Sequence, residues 1–130
     1  MAVSLGGKDT PVEGPPALEA QLRAEPYRFG FFQAVRILDR LLTGRKSVGH
    51  DAPPAAEVAR FHAHLSMTFP PSELVDLALP ADNDKPADIT VAFLGLTGPS
   101  GALPRFYTEL LLERDRAKDP TFRKFLDLFN

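Results

Sequence analysis

The sequence predicts an α+β domain, a small antiparallel β-meander flanked by α-helices at both ends. Three observations carry that expectation. Apolar residues recur every three or four positions near both ends of the chain, which is the spacing of a helix face. Between them the period drops to two, the spacing of a half-buried strand. The stretches separating these segments are rich in proline, glycine and aspartate, the residues of turns.

Residues 1–16 hold Gly6, Gly7, Pro11, Gly14, Pro15 and Pro16 among few apolar residues and are expected to be a disordered lead-in to a folded part at 17–130. The first helix runs over 17–25, with Leu18 and Leu22 four apart and Pro26 as its stop. The second, over 29–42, places Phe31, Val35, Leu38 and Leu42 on one stripe, which Phe32 and Ile37 widen. So broad a stripe calls for cover on more than one side. Gly44 ends the helix, and 43–54 is loop by composition, with Arg45 and Lys46 read as solvated charges.

From Val58 onward, Phe61, Ala63, Leu65 and Met67 face one way and Arg60, His62, His64 and Ser66 the other, predicting a strand over 58–67. His62 and His64 share a strand face, as a pair of metal ligands would. No third ligand is preorganised beside them: His50 lies in the loop, and Glu57 and Glu73 fit no metal spacing. Polar positions facing solvent or a partner are the simpler reading. Residues 69–73 turn the chain, 74–79 is a second strand interrupted by Asp76, and a polar loop over 80–87 leads to a third strand at 89–94. Short connections between the three give the meander.

A strand running through Gly95-Leu-Thr-Gly-Pro-Ser-Gly101 into a helix is the setting of phosphate loops and nucleophile elbows. The residues exclude both. A Walker loop needs Lys-Ser/Thr after its last glycine, where this chain has Ala102 and Leu103; the dinucleotide loop needs G-x-G-x-x-G, whereas Gly95, Gly98 and Gly101 fall at equal threes. An elbow needs glycine two places after its serine, and Ser100 has Ala102 there. What remains is shape. Pro99 fixes its own φ and biases Gly98 away from the helical region, and the glycines permit positive φ.

Pro104 suits the first turn of the next helix, whose apolar face is Leu103, Phe106, Tyr107, Leu110 and Leu111. Glu109 and Glu113 stand one turn apart, as a catalytic pair would. Arg114, Arg116 and Lys118 surround them, and helical ion pairing accounts for the spacing. Asp119-Pro120 breaks the pattern, and a last helix carries Phe122, Phe125, Leu126 and Phe129 on one stripe.

Composition narrows the function classes. Fifteen basic and seventeen acidic residues give a formal charge of −2, too balanced for an electrostatic nucleic-acid or membrane-surface binder. Without cysteine there are no disulfides, thiolate metal sites or cysteine nucleophiles. The first ten residues do not form a secretory signal, and no apolar run approaches the roughly 18 residues of a membrane span, so a soluble, uncleaved chain is expected. Ten phenylalanines against two tyrosines and no tryptophan favour dry packing, in a core or an interface, over ligand recognition.

Two blocks carry a family resemblance. Phe-Leu-Gly-Leu-Thr-Gly-Pro-Ser-Gly-Ala-Leu-Pro-Arg-Phe-Tyr-Thr-Glu-Leu-Leu-Leu-Glu-Arg at 93–114, closing on Phe-Leu-Asp-Leu-Phe-Asn at 125–130, strongly resembles the TssG (ImpH/VasB) baseplate subunits of bacterial type VI secretion systems. Ahead of it in the chain, Pro-Tyr-Arg-Phe-Gly-Phe-Phe-Gln-Ala-Val-Arg-Ile-Leu at 26–38 is the first block. Members of that family are longer than this chain, so the resemblance implies that 17–130 is the N-terminal portion of a TssG-like subunit. A helical stripe that runs straight into Asn130 agrees with this.

The resemblance implies a structural role without catalysis or cofactor. In each baseplate wedge one TssG-like subunit joins two copies of a TssF-like subunit, and TssK-like trimers link that unit to the membrane complex. The wedges ring a VgrG-like spike hub beneath the contractile sheath, which places the chain in the cytoplasm at the inner-membrane-docked baseplate, with no nucleic acid and no membrane insertion of its own. The matched positions it singles out are Phe31, Phe32, Val35 and Leu38 in one block and Gly95, Gly98, Pro99, Gly101, Pro104, Phe106, Tyr107 and Glu109 in the other. Core and interface roles stay open for each apolar one. The alternative is a free-standing small-ligand or peptide-binding α+β domain without catalysis, which would have a closed apolar pocket and no exposed Phe-rich surface.

Overall fold

The structure, a computed structural model, describes residues 15–82 and 84–129. The expected lead-in lies outside the described residues except for its last two positions, which open a helix. The elements in chain order are α1 (Pro15–Ala24), a 3-10 turn (Pro26–Arg28), α2 (Phe31–Leu41), β1 (Ala59–Ala63), β2 (Leu74–Ala78), β3 (Ala87–Val91), α3 (Arg105–Arg116), α4 (Thr121–Leu126) and a closing 3-10 turn (Asp127–Phe129). This is the expected α+β arrangement with helices at both ends.

The sheet departs from the expected meander. Its order is β1-β3-β2, with β3 antiparallel to β2 but parallel to β1, Ala59 opposite Ala87 and Ala63 opposite Val91. Burial explains the choice of central strand. β3 presents Ala87, Ile89 and Val91, all fully buried, whereas β2 carries exposed Asp76 and a register break between Leu74 and Asp76. A strand with a broken register suits an edge, and the strand whose inward face is wholly buried suits the middle. Strand lengths follow from the same pairing. β3 ends at Val91, so β1 loses its neighbour after the bond from His64 N–H to Val91 O, and the alternation over 65–67 is not strand.

One face of the sheet and helices α1 and α2 enclose a single core of Leu22, Ala34, Ile37, Leu38, Leu42, Val58, Ala59, Leu74, Leu77, Ala87, Ile89 and Val91. Of the stripe read on α2, Leu38 and Leu42 lie in this core, Phe31 and Val35 are half-buried, and Phe32 turns outward. The start of α2 has no local cap, because its N-cap residue is Gly30. Glu73 supplies one from 42 positions away: its Oε2 accepts the Phe31 N–H at 3.0 Å. Beside it the Ser72 hydroxyl donates to Tyr27 O at 2.8 Å. The corner before β2 thus holds the first family block in place.

Candidate protein interface

Phe31 is the hub of an aromatic cluster. Its ring centroid lies 5.3 Å from Phe32, 5.4 Å from Phe61 and 5.0 Å from Phe93, edge-on to Phe32 and Phe93. Phe61 is on β1 and Phe93 follows β3, so the two sequence blocks, far apart in the chain, meet at this ring. The inner side of the cluster joins the core, while the outer side stays in water: Phe32 is 78 % exposed and Phe93 49 %. Leu38, by contrast, is wholly core. Phe93 was within the recognised block but not singled out. Its signal is position, a large apolar residue just after the central strand's last pairing.

The glycine loop is braced from beneath. Gly98 N–H donates to the Thr108 hydroxyl at 2.9 Å, Gly101 N–H to Gly98 O at 3.2 Å, and Leu103 N–H to Leu96 O at 2.8 Å. Gly98 has φ +96°, a region that other residues enter at a cost. At Gly101 the constraint is space, because a Cβ there would lie 2.6 Å from Leu96 O. Gly95 also has positive φ, and Pro99 and Ser100 are exposed at the tip. Pro104 stands just before α3 as its N-cap rather than inside its first turn.

On α3 the apolar residues divide. Leu111 points inward with Thr108, the buried polar residue that braces the loop, while Phe106 and Tyr107 stay exposed with their rings 5.8 Å apart. Glu109 is exposed and ion-paired with Arg105 at 3.0 Å. Thr108 went unnoticed in the sequence, yet it sits three residues before Leu111, and a polar residue on an inward stripe needs a partner.

The outer edge of β1 receives the C-terminal turn. Asp127 Oδ1 accepts the Ala63 N–H at 3.2 Å, and its Oδ2 lies 3.2 Å from His62 Nδ1. The other ring nitrogen of His62 is 3.1 Å from Asp88 Oδ1. His62 is therefore a bridge between strand and C-terminal turn, while His64 lies apart and lines a small hollow under the glycine loop. Among the described residues, no three His, Asp or Glu side chains are grouped to hold a metal ion.

At the other end of α4, Asp119 Oδ1 accepts the Thr121 N–H at 3.1 Å and Oδ2 accepts from Arg114 at 3.0 Å. Thr121, through hydroxyl and backbone, and then Arg114 hold the Asp119 carboxyl below its ordinary range. Just ahead of the first block, Arg28 and then Tyr27 do the same for Glu25.

Two of the hollows are small, and the larger ones, about 540 Å³ between α3 and α4 and about 390 Å³ beside Arg60 and Asp88, are open to solvent. The hollow beneath the glycine loop and that between Leu96, Leu111 and Leu126 are each ≈ 10 Å³, room for about one water and far below the roughly 300 Å³ of a small-ligand pocket. Among the described residues, no helix is long and apolar enough to cross a membrane.

The exposed aromatic surface and the braced loop suit contact with another protein, and comparison with known families agrees. The family model for type VI secretion TssG matches residues 25–130. The chain belongs to the TssG family. No curated protein and no solved structure matches it. The TssG match takes in the aromatic hub, the glycine loop and the α4 segment together, and it assigns the chain a structural part in type VI secretion.

Proposed function

We propose that this chain is the TssG-like subunit of a baseplate wedge, with residues 17–130 forming its N-terminal portion, and that it builds the wedge by binding TssF-like subunits. The observation that carries this reading is the meeting of both family blocks at Phe31, with Phe32 and Phe93 left in water on its outer side. Aromatic groups so placed are the usual anchors of a protein interface. The glycine loop, with Pro99, Pro104, Phe106, Tyr107 and Glu109 around it, is the second contact region of this proposal. Through the wedge the chain would meet TssK-like trimers and, indirectly, the VgrG-like hub on the cytoplasmic side of the inner membrane.

The test is co-expression with the TssF-like protein of the same gene cluster, followed by size-exclusion chromatography with light scattering. A stable complex is expected, lost in a Phe32→Ser, Phe93→Ser double variant whose melting is unchanged. A lone monomer from the unaltered chain, or a complex indifferent to both substitutions, would overturn the reading.

A further inference from the structure

Four-residue steps place Phe32, Arg36 and Arg40 along the outer face of α2, and all three are exposed. Each step climbs the helix by roughly 6 Å. Elsewhere in the chain the same spacing joins opposite charges: Arg23 reaches Glu19 at 3.1 Å and Arg105 reaches Glu109 at 3.0 Å. On α2 it stacks two cations, which works against the helix. Neither guanidinium has a carboxylate partner among the described residues. Asp39 is spaced to answer Arg36 from three positions on, yet it pairs with neither arginine, and its Oδ1 is shut away from solvent. The helix dipole favours a cation in the last turn, where Arg40 sits, but does nothing for Arg36 in the middle.

These arginines continue the aromatic hub. Phe32 stands edge-on to Phe31 with most of its ring in water, and Arg36 begins one turn beyond it. An aromatic anchor bordered by unpaired guanidinium groups fits a protein surface that offers an apolar hollow rimmed with carboxylates, the planar acceptor that arginine's fork matches. A formal charge of −2 gives the chain as a whole no pull on a polyanion, so the attraction is local to this face. We infer that the outer face of α2 extends the hub interface, and that the protein surface taking Phe32 presents carboxylates to Arg36 and Arg40. This rests on the hub reading proposed above and adds the sign of the partner's charge.

The test is the co-expressed complex, its dissociation constant followed by light scattering over a dilution series at low and high salt. Arg36→Glu, Arg40→Glu should raise that constant at least about tenfold at low salt, with the gap narrowing as salt rises. Arg36→Glu alone leaves the last turn of α2 unaltered and should give part of the same effect with unchanged melting, whereas Arg36→Lys, Arg40→Lys should keep most of the affinity. A complex broken by Phe32→Ser, Phe93→Ser but indifferent to charge reversal would overturn this inference and leave the hub standing. No complex from the unaltered chain would overturn both. In the full-length subunit, Arg36 should react with phenylglyoxal when the subunit is alone and be protected in the complex. Protection in the lone subunit would mean that its own chain or a second copy covers the face, and would overturn the inference. Capture by phosphatidylserine vesicles that Arg36→Glu abolishes would assign the face to a lipid surface and overturn it equally.

Discussion

Helices α2 and α4 are both short and both carry phenylalanine stripes, yet they are held in different ways. α2 buries Ala34, Ile37 and Leu38 against the sheet. α4 buries nothing and is pinned at its two ends, by Asp119 to Thr121 and Arg114 and, through the turn that follows, by Asp127 to His62 and Ala63. Burial of apolar area is strong and indifferent to direction; hydrogen bonds and exposed ion pairs are individually weak and fix orientation. The difference separates the part of the chain that makes it fold from the part that aims a surface. Aliphatic residues make the core face of α2, while the phenylalanines of both helices stay partly or largely in water.

Substitutions can break this contrast or sharpen it. The largest effect is expected at Leu38, fully buried in the core: Leu38→Ala should lower stability by about 2–5 kcal/mol in urea unfolding. A loss no larger than that of an exposed Leu128→Ala control would erase the distinction between the two regions. Next comes Gly101, where the loop meets α3. Gly101→Val forces atoms against Leu96 and Thr97 backbone, and should cost about 1–3 kcal/mol while leaving the core's near-ultraviolet signature intact. Unaltered stability would show that the loop has room to give.

The smallest effect concerns α4 and is read by pH. Asp119 has its folded pKa below the ordinary carboxylate value. Its contribution is therefore present above the unfolded pKa and lost as pH falls through the folded one. The melting gap between the unaltered chain and Asp119→Asn should persist near neutrality and through mild acid, then close in strong acid. A gap that stays constant down to strong acid would mean that the carboxylate charge is not what fixes the start of α4.

How much of this was legible in the sequence depends on the range of the forces involved. The α2 stripe was readable because its period lies within one helix; Leu38 and Leu42 are core as their spacing implies. The glycine loop was readable as a constrained shape, because Gly98 and Gly101 answer to backbone geometry close by. Strand order was not. Placing β3 between β1 and β2 is a long-range decision, and a charge within a strand does not reveal it, since Asp76 lies in an edge strand and Asp88 in the central one. Glu73 was equally hidden, since nothing near it indicates that it will cap a helix begun at Phe31. Phe106 and Tyr107 share an apolar pattern with Leu111, and only packing tells the exposed from the buried.

That remote cap has a consequence for timing. A helix capped from within its own turn needs no distant residue, but the first N–H of α2 obtains this acceptor only when the corner at Ser72 and Glu73 has docked. The same docking settles Phe31, and with it the rings that rest on Phe31. A nascent or partly folded chain thus has no finished aromatic surface to offer.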